Sequence, residues 1–212
     1  VQFGYFVTSP THDSPEGGAL DVDHQTVADL SQRLGGGYDV RFGGPNPWTP
    51  GAKLAQARGY LKGQGASAAE KAAVVAAGGV VHAYTDSSCS AAEYASGVKS
   101  YNNGLNVSDE GRFVPTLYNQ LQTQGWKVGT VTSVPFDHAS PAAMYAHNVY
   151  RDDYQDIARE MLGLRSIVQE TGKGAPLPGL DVVIGCGWGV TGKAESLAKS
   201  QGKNAVPGNT YI

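Results

Sequence analysis

The 212-residue chain is 41% apolar and 17% charged, which supplies one buried core but too little length for two large domains. Its net charge of −3, with no basic stripe, argues against a nucleic-acid or anionic-membrane surface as its main partner. No apolar run approaches the roughly 20 residues that span a bilayer. The 29 glycines follow no strict period, so collagen is excluded. The chain opens at Val1 without a charged region followed by an apolar one, as expected of a mature or cleaved product. Cys89 and Cys186 make no disulfide framework. Two free thiols are preferred over a single bond.

The first 51 residues read as a loop-rich N-terminal part of a single domain spanning 1–212. Val1–Thr8 has strand character, and Thr11–Gly18 has loop composition. Asp23 is placed to cap a helix through Val27, Leu30 and Leu34, stopped by Gly35-Gly36-Gly37. Ala52–Lys62 reads as a helix, and Ser67 with Glu70 makes a capping box for Ala68–Ala77. Val80–Tyr84 is a short β-rich run, followed by a helix from about Ser88 to Tyr101. Val114–Gln124 is expected to be helical up to Gly125. Trp126–Val134 alternates as a strand, with Val128, Thr130 and Thr132 on one face. Ser140-Pro141 has the form of a helix start, Ser as cap and Pro as first residue. Asp152–Leu164 is amphipathic, with Tyr154, Ile157, Ala158 and Met161 on one face. Leu180–Ile184 reads as a buried strand and Ala194–Lys199 as a helix. Alternating strands and helices imply an α/β fold, with a mostly parallel sheet between helical layers. Sites in such sheets gather at the carboxyl ends of strands.

Thr85-Asp86-Ser87-Ser88-Cys89-Ser90-Ala91-Ala92 lies where a strand ends and a helix begins. A serine there meets backbone N–H groups and the positive helix end, both of which favour an anion such as a phosphoryl group. The competing reading is a Ser-rich cap with no further role. Arg151 offers a planar fork that grips two phosphate oxygens, as Lys cannot; otherwise it is a surface residue pairing with Asp152 or Asp153. His138 and Ser140 are a loop histidine and a capping serine unless they serve a cation. His147 reads as packing.

Four blocks shift this balance. Thr85-Asp86-Ser87, continued by Ala95-Ser96-Gly97-Val98-Lys99-Ser100-Tyr101-Asn102, resembles the nucleophile helix of alkaline phosphatases. Thr130 to Ala143 resembles the same family's strand and following helix, with His138-Ala139-Ser140-Pro141-Ala142 as its "His-Ala-Ser/Thr-Pro-Ala" segment. Arg151 follows His138 at the family's interval to its phosphate-binding arginine. Leu180-Asp181-Val182-Val183-Ile184-Gly185-Cys186-Gly187-Trp188 resembles a strand and glycine turn of the family. This turn is given no catalytic role, and its Gly-x-Gly-x-Gly spacing is not that of a dinucleotide site. The blocks cover roughly residues 80–190, in family order.

The resemblance implies a three-layer α/β/α sandwich and a metal-dependent phosphate monoesterase. By it, Ser87 is the nucleophile that becomes phosphorylated and is also a metal ligand. Asp86 orients Arg151, which binds the phosphate. His138 and Ser140 serve a Mg²⁺ site, His138 acting directly or through water. Two Zn²⁺ ions are implied, with phosphate monoesters and inorganic phosphate as ligands. A periplasmic or secreted location and a homodimer are implied as well. Departures from the pattern are as specific. The family's "Ile-Gly-Asp-Gly-Met-Gly" turn is missing, and Asp39 sits in the wrong context to replace it. The zinc-binding Asp-x-x-x-His, Asp-His and later His belong downstream of the matched region. Asp23-His24 lies on the wrong side of Ser87, and His12 and Asp13 read as loop residues. The chain is therefore expected to be one part of a longer enzyme. The alternatives are a non-catalytic phosphate-binding module or a sulfatase or phosphodiesterase relative. Asn106-Val107-Ser108 is a glycosylation sequon, relevant only in a host that glycosylates.

Overall fold

The structure, a computed structural model, describes residues 20–27, 85–108, 110–186 and 201–206. The expected strands at 1–8 and 80–84, the helices at 52–62, 68–77 and 194–199, and the turn after Cys186 lie outside these residues.

Residues 20–27 form a tight antiparallel hairpin, β1 (Leu20–Asp21) and β2 (Thr26–Val27), which replaces the start of the helix expected from Asp23. The reason is local. The His24 N–H donates to Asp21 Oδ1 at 3.1 Å, and Gln25 takes a left-handed φ of +50° that a continuing helix excludes. The reversal folds Leu20, Val22 and Val27 against the buried side chains of Tyr101, Val107 and Val149.

Helix α1 (Ser87–Ser96) is capped by Asp86, whose Oδ1 accepts from the Cys89 N–H at 3.0 Å. It stops at Gly97, which takes φ +74° and returns its N–H to Glu93 O, the left-handed C-terminal cap that glycine adopts without strain. The sequence reading ran on to Tyr101; instead, the chain turns there and threads inward. The Tyr101 hydroxyl donates to Val149 O at 2.7 Å, and Leu105 and Asn148 exchange backbone hydrogen bonds.

Helix α2 (Leu117–Thr123) starts three residues later than the apolar pattern implies. Thr116 and Asn119 form a reciprocal capping box, and Val114 is already committed through its N–H to Asn106 O. Strand β3 (Gly129–Pro135) leads into α3 (Ala139–Ala143). His138 rather than Ser140 occupies the cap position. Ser140 and Pro141 fall within the first turn, where N–H groups lack intrahelical partners and proline is tolerated. Helices α4 (Tyr154–Met161) and α5 (Ile167–Glu170) precede β4 (Val182–Cys186).

β4 lies parallel to β3, with Gly129 opposite Val182 and Val131 opposite Ile184, and a register shift before Pro135 meets Cys186. A parallel pair joined by helices is α/β architecture, as the alternating pattern implied. The core is small-residue packing: Ala91 and Ala92 of α1 meet Ala142 and Ala143 of α3, with Leu105, Ala146, Ile157 and Met161 filling beneath. The amphipathic face of α4 is buried as expected. The turn after α4 abuts the approach to β4 so closely that a Cβ on Gly163 would lie 2.5 Å from Pro178 O. One expectation differs: β4 is not buried, for Val182 is 48% and Ile184 57% exposed. No described element covers that face. Among the described residues, no helix is long and apolar enough to cross a membrane.

Candidate functional site

The end of α1 and the loop before α4 bring Ser87, Asp86 and Arg151 together. Arg151 Nη1 donates to Ser87 Oγ at 2.5 Å and to Asp86 Oδ2 at 3.2 Å. Ser87 is exposed and is the first helical residue, not the cap. Capping falls to Asp86, which leaves the Ser87 hydroxyl facing the guanidinium. Asp86 Oδ2 also accepts from the Ser88 hydroxyl at 2.6 Å. Burial pushes the Asp86 carboxyl upward, but hydrogen bonds from Cys89 and Ser88 and the charge of Arg151 outweigh it, holding Asp86 below the usual carboxylate range.

Both partners are fixed from behind by the segment after α1, a connection that sequence motifs do not show. Asn102 Oδ1 accepts the Asp86 N–H at 3.0 Å, and the Arg151 N–H donates to Asn103 O at 2.9 Å. Asp152, proposed from sequence as a competing partner, stands 3.8 Å from Arg151 Nε. Asp153 is not a partner of Arg151; it is buried on Asn148 and Gly202.

His138 caps α3 through its backbone position alone, without a side-chain hydrogen bond. Its ring centroid lies 5.7 Å from that of Tyr154. Burial, and then the charge of Arg151, push the imidazole below its usual pKa, so it favours the neutral, ligand-competent form. Ser140 is exposed in the first turn of α3. Asp137, which the sequence reading passed over, is fully buried, and neither of its carboxylate oxygens has a hydrogen-bond partner. Burial raises it to about 8. No periodicity or motif marked it, because burial without a partner is visible only in three dimensions.

The remaining candidates are structural. His147 is buried, stacked on Phe113 and bonded through Nε2 to Val114 O at 3.0 Å. Cys89 and Cys186 are free; burial and the neighbouring Asp86 push the Cys89 thiol upward, which makes it inert. His24 turns back on Asp21 at 2.7 Å. Asn106 of the sequon is buried, and its amide donates to Ala143 O and Ala146 O, so the folded chain offers no acceptor there.

Among the described residues, no three His, Cys, Asp or Glu side chains are placed to hold a metal ion. They do not fit a zinc site, whose closed set needs such donors. Magnesium asks less: one or two carboxylates, with water filling the remaining positions. His138, which burial keeps toward its neutral form, and the exposed Ser140 hydroxyl in the first turn of α3 are donors of a kind that can serve it.

The region that contains these residues also matches known proteins. Residues 68–205 match the model of the alkaline phosphatase family. Alkaline phosphatase 4 of Bacillus subtilis is 36% identical over 78 residues, covering 37% of this chain and 17% of that protein. Alkaline phosphatase of Escherichia coli is 30% identical over 124 residues, covering 56% of this chain and 26% of that protein. Each of these matches thus spans about a quarter or less of the relative's length. A cold-active alkaline phosphatase from the psychrophile Shewanella sp. superposes with a TM-score of 0.40 at 27% identity, covering 55% of this chain and 26% of that one. The family model alone spans well over half of the sequence, and the chain belongs to the alkaline phosphatase family.

Proposed function

We propose that this protein hydrolyses phosphate monoesters through a phosphoserine at Ser87. The observation that carries the reading is the exposed Ser87 hydroxyl, released from helix capping by Asp86 and held against Arg151 Nη1. In the first step Ser87 gives up its hydroxyl proton as Oγ attacks phosphorus, an Oγ–P bond forms, the ester P–O bond breaks, and the departing alcohol takes up a proton. In the second step water attacks the phosphoserine, the Oγ–P bond breaks, inorganic phosphate leaves, and the serine oxygen regains its proton. Arg151 grips the non-bridging oxygens as charge redistributes over them. Asp86 holds Arg151 at that post and, as cap, aligns the first N–H groups of α1 behind the phosphate.

His138 and Ser140 are the residues that would hold magnesium. When bound, that ion supplies positive charge that stabilises phosphate and ordered water nearby. A mutant of the TAB5 alkaline phosphatase is described with Mg bound. Zinc is also expected by family resemblance, but no step is assigned to it, since the described residues do not assemble its ligands. An exported location and a dimeric assembly belong to the same proposal.

The test is hydrolysis of a chromogenic phosphate monoester at alkaline pH by the full-length protein, beside a diester and a sulfate ester. Activity confined to the monoester and abolished by chelator and by Ser87→Ala supports the reading. Full activity in Ser87→Ala ends it. Phosphate binding without turnover in added Zn²⁺ and Mg²⁺ identifies a binding module instead.

A further inference from the structure

Helix α4 starts without a local cap, and the loop that carries Arg151 leads straight into it. Asp153 sits at the cap position, but its side chain makes no capping hydrogen bond. Both of its oxygens are committed elsewhere: Oδ2 accepts from Asn148 Nδ2 at 2.9 Å, and Oδ1 from the Gly202 N–H at 2.9 Å. The first N–H groups of a helix have no partner within it. Gln201 supplies one from 46 residues away: its Oε1 accepts the Gln155 N–H at 3.1 Å, and its Nε2 donates to Asp152 O at 2.5 Å.

One amide therefore spans the turn from the Arg151 loop into α4. Its own segment is anchored further along. Gln155 Nε2 donates to Val206 O at 2.9 Å, Gln155 Oε1 accepts the Val206 N–H at 2.7 Å, and Asn204 O accepts from Arg159 Nη2 at 2.8 Å. What Gln201 grips belongs to the site. Asp152 is the acid beside Arg151 Nε, at 3.8 Å, while Asp86 engages Nη1. The Asp152 carboxylate also accepts from the Tyr154 hydroxyl at 3.1 Å. With the Arg151 N–H already resting on Asn103 O, the Asp152 carbonyl is a second main-chain anchor of this loop, and Gln201 holds it.

We propose that Gln201 is a positioning residue for Arg151: its amide ties Asp152 O to the start of α4, and so sets where Asp152 and the guanidinium stand when a phosphate group binds. The proposal rests on reading Arg151 as the phosphate-binding residue. It adds the 201–206 segment, which no motif marked, to the parts that orient that arginine.

The experiment titrates full-length protein with inorganic phosphate by calorimetry and follows the Arg151 Nε–H signal by NMR, assigned by its loss in Arg151→Ala. Gln201→Ala removes both hydrogen bonds. Gln201→Met removes them while filling nearly the same space, so binding is measured in it if Gln201→Ala does not fold. Each is expected to weaken phosphate binding roughly 2- to 10-fold, the range of one lost hydrogen bond, and to shift or broaden the Arg151 signal. In an Arg151→Ala background neither should weaken phosphate binding further, because a positioning residue acts only through the group it positions. Wild type that binds phosphate, with variants that bind it equally well, leave the Arg151 signal unmoved, or lose as much affinity in the Arg151→Ala background, overturns this proposal and leaves the phosphate site standing. A wild type that binds no phosphate overturns the reading of Arg151, and this proposal with it.

Discussion

Arg151 Nη1 lies 2.5 Å from Ser87 Oγ across 64 residues of sequence. The two meet because the chain after α1 ties both ends of the contact: Asn102 holds the Asp86 N–H, and Asn103 O holds the Arg151 N–H. The Arg151 main chain is therefore fixed by Asn103, and its guanidinium is held by Asp86 Oδ2 at 3.2 Å.

Arg151→Lys is expected to weaken binding of inorganic phosphate by roughly 10- to 150-fold, corresponding to about 1.5–3 kcal/mol for lost hydrogen bonds to a charged group. Lysine keeps the charge but not the planar fork. Calorimetric titration with phosphate checks this. Equal affinity in the two proteins would show that Arg151 acts only as a point charge.

Asp86→Ala is expected to destabilise the fold by about 0.5–2 kcal/mol through loss of the cap. Asp86→Asn retains an oxygen for the Cys89 N–H and loses less. Both remove the Asp86 carboxylate from Arg151 and leave only the longer contact to Asp152, so both should weaken phosphate binding. Urea unfolding paired with phosphate titration distinguishes the two effects.

Burial pushes Asp153 up to about 7, with neighbouring Asp156 adding to it, and Asp156 itself is raised to about 6 by burial. Their folded-state values lie above the unfolded one, so the folded chain binds more protons between about pH 4 and 7. The contribution of these groups to stability is present at low pH and is lost as pH rises through the folded values. Asp86 acts in the opposite sense, since its depressed carboxyl contributes stability that is lost as pH falls. Asp153→Asn should flatten the fall in urea midpoint between pH 5 and 7. An unaltered pH profile in that variant would count against the assignment.

Gln25 joins the hairpin to the site loop. Its amide donates to Asn148 Oδ1 at 3.2 Å and accepts the Val149 N–H at 3.1 Å, with the side chain fully buried. Gln25→Ala leaves the buried Val149 N–H unpartnered and takes one of two donors from Asn148 Oδ1, which keeps the Tyr150 N–H; it is expected to cost about 2 kcal/mol, measured by urea unfolding. Asn106 is bonded in the same interior, so expression in a glycosylating host should add no sugar mass at that site. A glycan found there by mass spectrometry would mean that the segment is open when the host enzyme meets it.

The sequence by itself determined what is local or carried by motif: the serine at a helix start, the arginine at a set interval, the parallel α/β alternation and the apolar face of α4. Local chemistry also misled where several residues compete for one role. Asp23 had the look of a cap, but Asp21 and the left-handed Gln25 made a hairpin. Ser140 had the same look, but the cap fell two residues earlier, at His138. Tertiary structure alone decided which hydroxyl was free and which acid was buried. Ser87 and Ser88 are alike in sequence, yet Ser88 is buried on Asp86 and Ser87 faces Arg151. Asp137 belongs to no pattern, because desolvation and the absence of partners depend on what surrounds a side chain in space, and no spacing along the chain encodes them.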